Sequence, residues 1–191
     1  FYPNMEASKN RILPSISSNY SFDKNGVSYG FGLAYGERAP SVSEGYGFYL
    51  FNSFDLYDYI GNPEMANENA LEASGSIGYG TGKFKTKLSA SYFHISNYIV
   101  GIPDANFLAM TIGASGVKVY NSLDYATIFN TDLNVEYKIA SNLFSQANLT
   151  YSYGQDYLNQ NLPFISPLSY KVALNYRKSK FSTNVELQGN A

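Results

Sequence analysis

The sequence predicts an all-β protein, an antiparallel transmembrane β-barrel segment of about eight long strands with short turns on one side and long loops on the other. Three observations predict it. Apolar and polar residues alternate with a period of two through most of the chain. Several alternating stretches reach the roughly 9–11 residues that a transmembrane strand needs. The connections between them alternate between short and long, and no stretch has helical periodicity.

Composition narrows the class of protein. The chain has 191 residues, 17% of them aromatic and 15% charged, against roughly 25% charged in an ordinary soluble domain. The absence of cysteine excludes disulfides and a cysteine nucleophile, and a single histidine excludes a site built on two imidazoles. A net charge of -2 gives no reason to expect nucleic acid as a partner. We also expect no cofactor.

The predicted strands follow one another with the same two-faced pattern. In the first, Ser28, Gly30, Gly32 and Ala34 separate larger apolar residues. Tyrosines stand at or near the strand ends, where an interfacial aromatic girdle would lie. The apolar alternation covers residues 27–35, 71–79, 84–92, 131–137, 143–153, 168–176 and 181–187.

Connection lengths indicate a sheet whose two ends differ. An Asn25-Gly26 pair, a strong hairpin signal, opens the series of tight connections at 23–26, 81–83, 140–142 and 178–180. Long connections cover 38–70 and 101–119, and one of intermediate length covers 155–164. A soluble β-sandwich, the minority interpretation, has no reason to sort its connections by length.

Five ordered segments carry a family resemblance. Residues 37–44 read E-R-A-P-S-V-S-E, residues 61–64 read G-N-P-E, and residues 92–99 read Y-F-H-I-S-N-Y-I. Residues 120–128 read Y-N-S-L-D-Y-A-T-I, and residues 162–167 read L-P-F-I-S-P. In this order and at these spacings they resemble the barrel of TonB-dependent outer-membrane receptors.

The resemblance implies a position and a function. All 191 residues would be part of one outer-membrane β-barrel domain of a Gram-negative bacterium, from the later part of the barrel and without the plug domain. The partners implied are outer-membrane lipid, TonB, a plug domain elsewhere in a longer or processed polypeptide, and a small-molecule or metal-chelate ligand. The function implied is import of a scarce nutrient such as a siderophore complex, with no enzymatic step.

The polar alternate face would line the barrel lumen and contact a plug. Its charges have mixed signs, which suits cross-strand pairing better than an ion filter. The candidate residues are Lys85, Lys87, Asp132, Asn134, Glu136, Gln146, Asn148 and Glu186, with Lys138, Lys171 and Asn175 on the same face.

An aromatic cluster in the long connection after residue 38 is the candidate ligand-binding site. A solvent-exposed aromatic cluster usually marks a binding surface, although a loop folded on its own aromatic rings is an equal alternative. The candidates are Tyr46, Phe48, Tyr49, Phe51, Phe54, Tyr57 and Tyr59.

Other residues offer weaker chemistry. Glu64 and Glu68, with Asp55 and Asp58 nearby, could hold a cation, but a solvated loop explains them better. His94 would be needed by any membrane-embedded hydrolase, a third interpretation that we discount. The main alternative is a small self-contained barrel acting as an adhesin or structural protein, in which the region of Ile12 would pair with that of Phe181.

Overall fold

A computed structural model describes residues 10–165 and 168–190. These residues form a sheet of ten strands, which confirms the all-β prediction. The elements in chain order are β1 (Ser15–Lys24), β2 (Val27–Arg38), α1 (Val42–Tyr46), β3 (Leu50–Asn52), β4 (Tyr57–Ile60), β5 (Glu68–Gly80), β6 (Phe84–Pro103), β7 (Gly116–Ala140), β8 (Leu143–Asp156), β9 (Leu168–Lys178) and β10 (Phe181–Asn190).

The long strands pair with their neighbours in sequence. Their order is β1-β2-β5-β6-β7-β8-β9-β10, so the predicted number of about eight long strands is confirmed. Only the short hairpin β3–β4 lies off this path. Strands β1 and β10 are the two ends of the order and are not paired in the part of the chain that the structure describes. The pairing that a self-contained barrel requires is therefore not observed there.

Two strands extend well beyond their predicted bounds. Strand β6 has 20 residues and β7 has 25, far above the usual mode of about five or six. The connection between them consequently covers only residues 104–115, whereas the sequence predicted 101–119. At the tight turn between β1 and β2, Asn25 and Gly26 both have positive φ, 52° and 78°, as the Asn-Gly signal predicts.

The helix α1 contradicts the expectation that the chain has no helix. Its five residues begin after Ser41, whose hydroxyl accepts the amide of Glu44 while the Glu44 carboxylate accepts the amide of Ser41. This reciprocal arrangement is a capping box. Among the described residues, no helix is long and apolar enough to cross a membrane.

The chain divides into two compact units. Unit 1 holds residues 10–16, Tyr35–Ala70 and Ile95–Ala126, and it contains the long connections 39–67 and 104–115. Most of the buried apolar side chains belong to it: Tyr59, Ile60, Met65, Ile95, Ile99, Val117 and Ala126.

Unit 2 is a sheet with little buried core. It holds residues Ser17–Ala34, Leu71–His94 and 127–190, with all the tight turns. Its described buried apolar residues are Leu162 and Ala173, whereas Val185 and Leu187 are 68% and 64% exposed. Exposed apolar side chains of this kind mark a surface that contacts another protein or a membrane.

Strand register separates the two faces of unit 2. Val172 on β9 pairs with Ala147 on β8 and Leu187 on β10, so one face is apolar. The adjacent Lys171 pairs with Asn148 and Gln188, so the opposite face is polar. The predicted alternation of faces along these strands is thus confirmed, because side chains change face at every residue.

Candidate ligand-binding site

Within unit 1, Arg38 attaches the helix α1 to the strands β2 and β5. The guanidinium of Arg38 donates to Glu44 at 2.8 and 3.2 Å and to Glu68 at the same two distances. Glu68 also accepts the backbone amide of Ile99 at 3.0 Å. Burial alone would raise the pKa of Glu44, but the hydrogen bonds from Arg38 and Ser41 hold that pKa below its ordinary value. Arg38 therefore joins the end of β2, α1 and the start of β5.

Close backbone contact fixes the other end of α1. The amide of Gly61 donates to the carbonyl of Gly47 at 2.7 Å, and the amide of Asn62 donates to the carbonyl of Glu44 at 2.8 Å. A Cβ atom at Gly61 would lie 2.6 Å from the backbone nitrogens of Tyr46 and Gly47. Only glycine permits this approach, so the G-N-P-E segment brings the end of β4 against the helix.

The hairpin β3–β4 is joined to β7 by a parallel pairing. Residues Tyr57 to Ile60 pair with Gly116 to Val119 in register. The ammonium of Lys118 donates to Asp55 at 2.7 Å and lies 4.5 Å from the centre of the Tyr57 ring. Such an ion pair with a cation–π contact stabilises the hairpin on β7.

Asp55 also accepts the hydroxyl of Tyr59 at 2.7 Å. Burial opposes ionisation of Asp55, but the hydrogen bonds from Lys118 and Tyr59 outweigh it and keep the pKa of Asp55 below its ordinary value. Burial, followed by the hydrogen bond to Asp55, raises the pKa of Tyr59 far above its ordinary 10.0. The Tyr59 ring lies directly against Gly101 on β6. This tyrosine is therefore part of the core of unit 1.

Asp58 is a carboxylate withdrawn entirely from solvent, with 0% exposure. Its Oδ2 atom accepts the backbone amides of Met110 at 2.8 Å and Thr111 at 2.9 Å. Hydrogen bonds from the hydroxyl and amide of Thr111 and from the amide of Met110 hold the pKa of Asp58 below its ordinary 3.8, despite its burial. The Oδ2 contacts thus bind Asp58 to the 104–115 connection, while its Oδ1 atom is buried with no hydrogen-bond partner.

The structure separates the predicted aromatic cluster into two groups. Tyr59 is 5% exposed and Tyr57 is half-buried beneath Lys118, so these two rings support the loop itself. Tyr49 is also half-buried and packs edge-on against Phe48. The side chains that reach solvent are Tyr46, Phe48, Phe51 and Phe54, exposed by 43%, 58%, 42% and 90%.

A second exposed apolar group lies outside the predicted aromatic cluster. Leu108, Met110 and Ile112 in the 104–115 connection are 84%, 68% and 101% exposed. Their alternate spacing was the available signal, but the predicted loop spanned 101–119 and contained no aromatic run. We call these three residues the apolar tip.

The predicted lumen residues lie on one polar face of unit 2 and bond across strands. Thr150 donates to Asp132 at 2.7 Å, and Lys171 lies 2.8 Å from Glu186. Further cross-strand bonds run from Gln146 to Glu136, Asn148 to Asn134, Asn175 to Gln146 and Asn184 to Asn175. Lys85 shares a cavity of about 750 Å³ with Glu136, Lys138 and Gln146, and Lys87 shares one of about 390 Å³ with Asp132.

The acidic residues considered as a cation site have other roles. Asp55 pairs with Lys118, Glu68 with Arg38, and Asp58 with two amides, while Glu64 is exposed. Among the described residues no group of three or more acidic or histidine side chains could hold a metal ion. His94 lies on β6, in unit 2.

Comparison with known proteins identifies relatives by sequence and by fold. A family model described as "TonB dependent receptor-like, beta-barrel" matches residues 3–190. The sequence matches none of the curated proteins with which it was compared.

Solved structures share the fold at low sequence identity. A structure titled as the copper transporter OprC has a TM-score of 0.74 at 19% identity, with 92% of this chain and 26% of that chain covered. The siderophore receptor PirA from Pseudomonas aeruginosa has a TM-score of 0.66 at 16% identity, with 93% and 33% covered. A mutant of the ferric enterobactin receptor PfeA, also from Pseudomonas aeruginosa, has a TM-score of 0.63 at 15% identity, with 92% and 27% covered. The chain thus spans about a quarter to a third of the length of these structures.

Proposed function

The chain belongs to the TonB-dependent receptor β-barrel family, and from this premise we propose that it forms part of the wall of a transporter that imports a scarce metal species. Receptors of this family reside in the outer membrane of Gram-negative bacteria. The transporter would take up either a metal ion or a metal chelate such as a siderophore complex. No step of this function is enzymatic.

The two-faced sheet of unit 2 is the observation that carries the proposal. Its apolar face exposes Val185 and Leu187, and contact with lipid would remove these side chains from water. Its polar face carries a hydrogen-bonded network that includes Asn175 and Asp132. In the proposed transporter this polar face lines the lumen and contacts a plug domain, which TonB would displace to let the ligand pass.

The exposed aromatic side chains of the 39–67 connection are proposed to contact the ligand. Phe48 and Phe54 are the two most exposed side chains of the aromatic cluster, at 58% and 90%. Aromatic rings contribute large contact areas at low entropic cost. They would contact the organic part of a chelate, or they would pack against a neighbouring loop that closes over the chelate.

Charge in unit 1 favours a cationic or uncharged ligand over a polyanionic one. Its described basic residues are all engaged: Arg11 donates to Asn67, Arg38 pairs with Glu44 and Glu68, and Lys118 pairs with Asp55. The described acidic residues outnumber them and are Glu37, Glu44, Asp55, Asp58, Glu64, Glu68, Asp104 and Asp124. Asp58 is buried and Glu44, Asp55 and Glu68 are paired, so the acidic surface consists of Glu37, Glu64, Asp104 and Asp124. Such a surface raises the local concentration of cations and repels anions.

Uptake by the full-length protein tests the proposal. Cells that lack the gene would be complemented with the unchanged protein, and accumulation of radiolabelled copper(II) and of a ferric catecholate complex would be measured. We expect uptake that requires TonB, with copper(II) favoured. Failure of the gene to change uptake of either probe would contradict the proposal of metal import.

A paired substitution tests the ligand role of the aromatic side chains. Changing Phe48 and Phe54 to serine is expected to raise the half-saturating ligand concentration while the protein still assembles in the membrane. Phe181→Ser is the matched control, because it removes an aromatic ring that is 62% exposed at the start of β10, outside the aromatic cluster. Unchanged uptake kinetics in the double variant would exclude these rings from the site.

A further inference from the structure

Two connections far apart in sequence are attached to each other by contacts that the barrel strands do not require. Asp58, in the 39–67 connection, accepts two amides from the 104–115 connection at 2.8 and 2.9 Å. The amide of Ser115 donates to the carbonyl of Leu56 at 2.6 Å. Each contact joins a residue next to or within β4 to the segment that leads into β7.

The attachment continues directly into paired strands. Tyr57 pairs with Gly116 in the parallel register, one residue after the Ser115 contact. Two residues further along β7, Lys118 binds Asp55. The hairpin β3–β4 is therefore bound along a continuous segment that starts in the 104–115 connection and ends on β7.

The Asp58 contact differs from the others because separating the two connections at this residue costs much free energy. A carboxylate with 0% exposure depends on its hydrogen-bond donors for the solvation that water would otherwise supply. The Oδ1 atom of Asp58 is buried with no hydrogen-bond partner, so moving the 104–115 connection alone would leave the buried carboxylate without the two amides that it has, which is strongly unfavourable. Moving both connections together with Gly116 to Val119 of β7 preserves the Asp58 bonds, the Ser115 bond and the parallel pairing.

We infer that the 39–67 and 104–115 connections move as one body, and that Asp58 is the positioning residue that holds the apolar tip in place within it. The amide of Met110 is fixed by Asp58, while its side chain is 68% exposed between the still more exposed Leu108 and Ile112. Asp58 thus determines where the tip lies without contacting anything outside the protein. The coupling stands on this geometry alone, whereas its use in ligand capture rests on the proposed function.

Distances between spin labels on the two connections measure the coupling directly. The chain has no cysteine, so Phe54→Cys and Ile112→Cys would introduce a label on each connection at positions 90% and 101% exposed. The full-length protein would be measured in lipid nanodiscs by pulsed electron resonance. We expect one narrow distance distribution in the otherwise unchanged protein and a broadened one in Asp58→Ala.

Two matched variants complete the design. Asp58→Asn keeps the size of the side chain and one acceptor oxygen and should restore much of the narrow distribution. Glu64→Ala removes an exposed carboxylate from the same connection and should leave the distribution unchanged. Hydrogen exchange at the amides of Met110 and Thr111 should accelerate about tenfold or more in Asp58→Ala, the loss expected for a hydrogen bond to a charged group.

The outcomes distinguish this inference from the proposed function. A broad distribution in the unchanged protein overturns the coupling even if Asp58→Ala fails to accumulate. A narrow distribution in a folded Asp58→Ala protein overturns the role of Asp58. A protein that shows the expected coupling but imports neither metal probe retains the coupling and loses the proposed function.

Discussion

The ammonium of Lys118 lies 2.7 Å from a carboxylate oxygen of Asp55, and the two side chains are only 15% and 16% exposed. The pair connects the turn of the β3–β4 hairpin to β7 across 63 positions of sequence. Tyr57 and Tyr59 place their rings beside the same ammonium, at 4.5 and 5.7 Å. A single cation thus holds two of the seven aromatic residues that the sequence presents as one cluster.

Replacing Lys118 with methionine should loosen the hairpin. The stem of the side chain keeps its volume, but Asp55 loses its counter-ion, which costs about 1–3 kcal/mol for a largely buried charged group. We expect faster hydrogen exchange at residues 57–60 and an unchanged rate in β9 and β10. Equal exchange in the two proteins at residues 57–60 would mean that the parallel pairing alone holds β4.

Replacing Arg38 with lysine should detach α1 without disturbing the sheet. Lysine cannot donate in two directions to two carboxylates as the guanidinium does. Because Arg38 is 45% exposed, the loss should not exceed about 1 kcal/mol. Hydrogen exchange at the amides of Gly45 and Gly47, which close α1, reports the effect, and Lys180→Arg at a tight turn of unit 2 serves as a neutral control.

Acid should release the loops of unit 1 before it unfolds the protein. The pKa values of Asp55 and Asp58 are lower in the folded protein than their ordinary value of 3.8, so the stability they contribute is fully present above that value. It is lost as the pH falls through the depressed folded values. The distance distribution between labels at positions 54 and 112 should therefore stay narrow down to about pH 4 and broaden below it.

A broadening that began near neutral pH would instead identify a group with a raised pKa as the controlling one. The Asp58→Asn variant supplies the control, because its side chain cannot titrate. Its distribution should depend on pH only through Asp55 and the other acidic groups of unit 1.

A charge introduced on each face of β10 in turn should show which face contacts lipid and which face lines the lumen. Val185 is on the apolar face and Asn184, its neighbour, is on the polar face. Val185→Arg should destabilise the full-length protein by about 2–4 kcal/mol if it lies near the middle of the bilayer, while Asn184→Arg should cost much less. Unfolding by urea in lipid vesicles measures both, and equal losses would contradict the assignment of faces.

Periodicity predicted the sheet because it is a local property of the chain. The alternation at residues 168–176, for example, places Val172 and Leu174 on one face whatever the rest of the molecule does. The order of the strands could also be predicted, because short turns connect antiparallel neighbours. The helix α1 could also have been predicted, since Ser41 and Glu44 have the spacing of a capping box.

The anchoring of the candidate site could not be predicted in the same way. The aromatic cluster was visible in sequence, but the burial of Tyr59 depends on Gly101, and the position of Tyr57 depends on Lys118. Gly101 lies on β6 and Lys118 lies on β7, and β4 meets β7 through a parallel pairing that no local signal specifies. Asp58 likewise binds backbone amides, and the identities of the residues that donate them give no sign of this contact in the sequence.

The residues that hold unit 1 together are different from those that it exposes. Arg38, Asp58 and Lys118 form the internal bonds, while the side chains of Phe54, Leu108 and Ile112 are 90%, 84% and 101% exposed. Mutations at the exposed positions can therefore accumulate without weakening the framework beneath them. Substitutions of a few surface side chains could therefore change what these loops contact while the support beneath them stays unchanged.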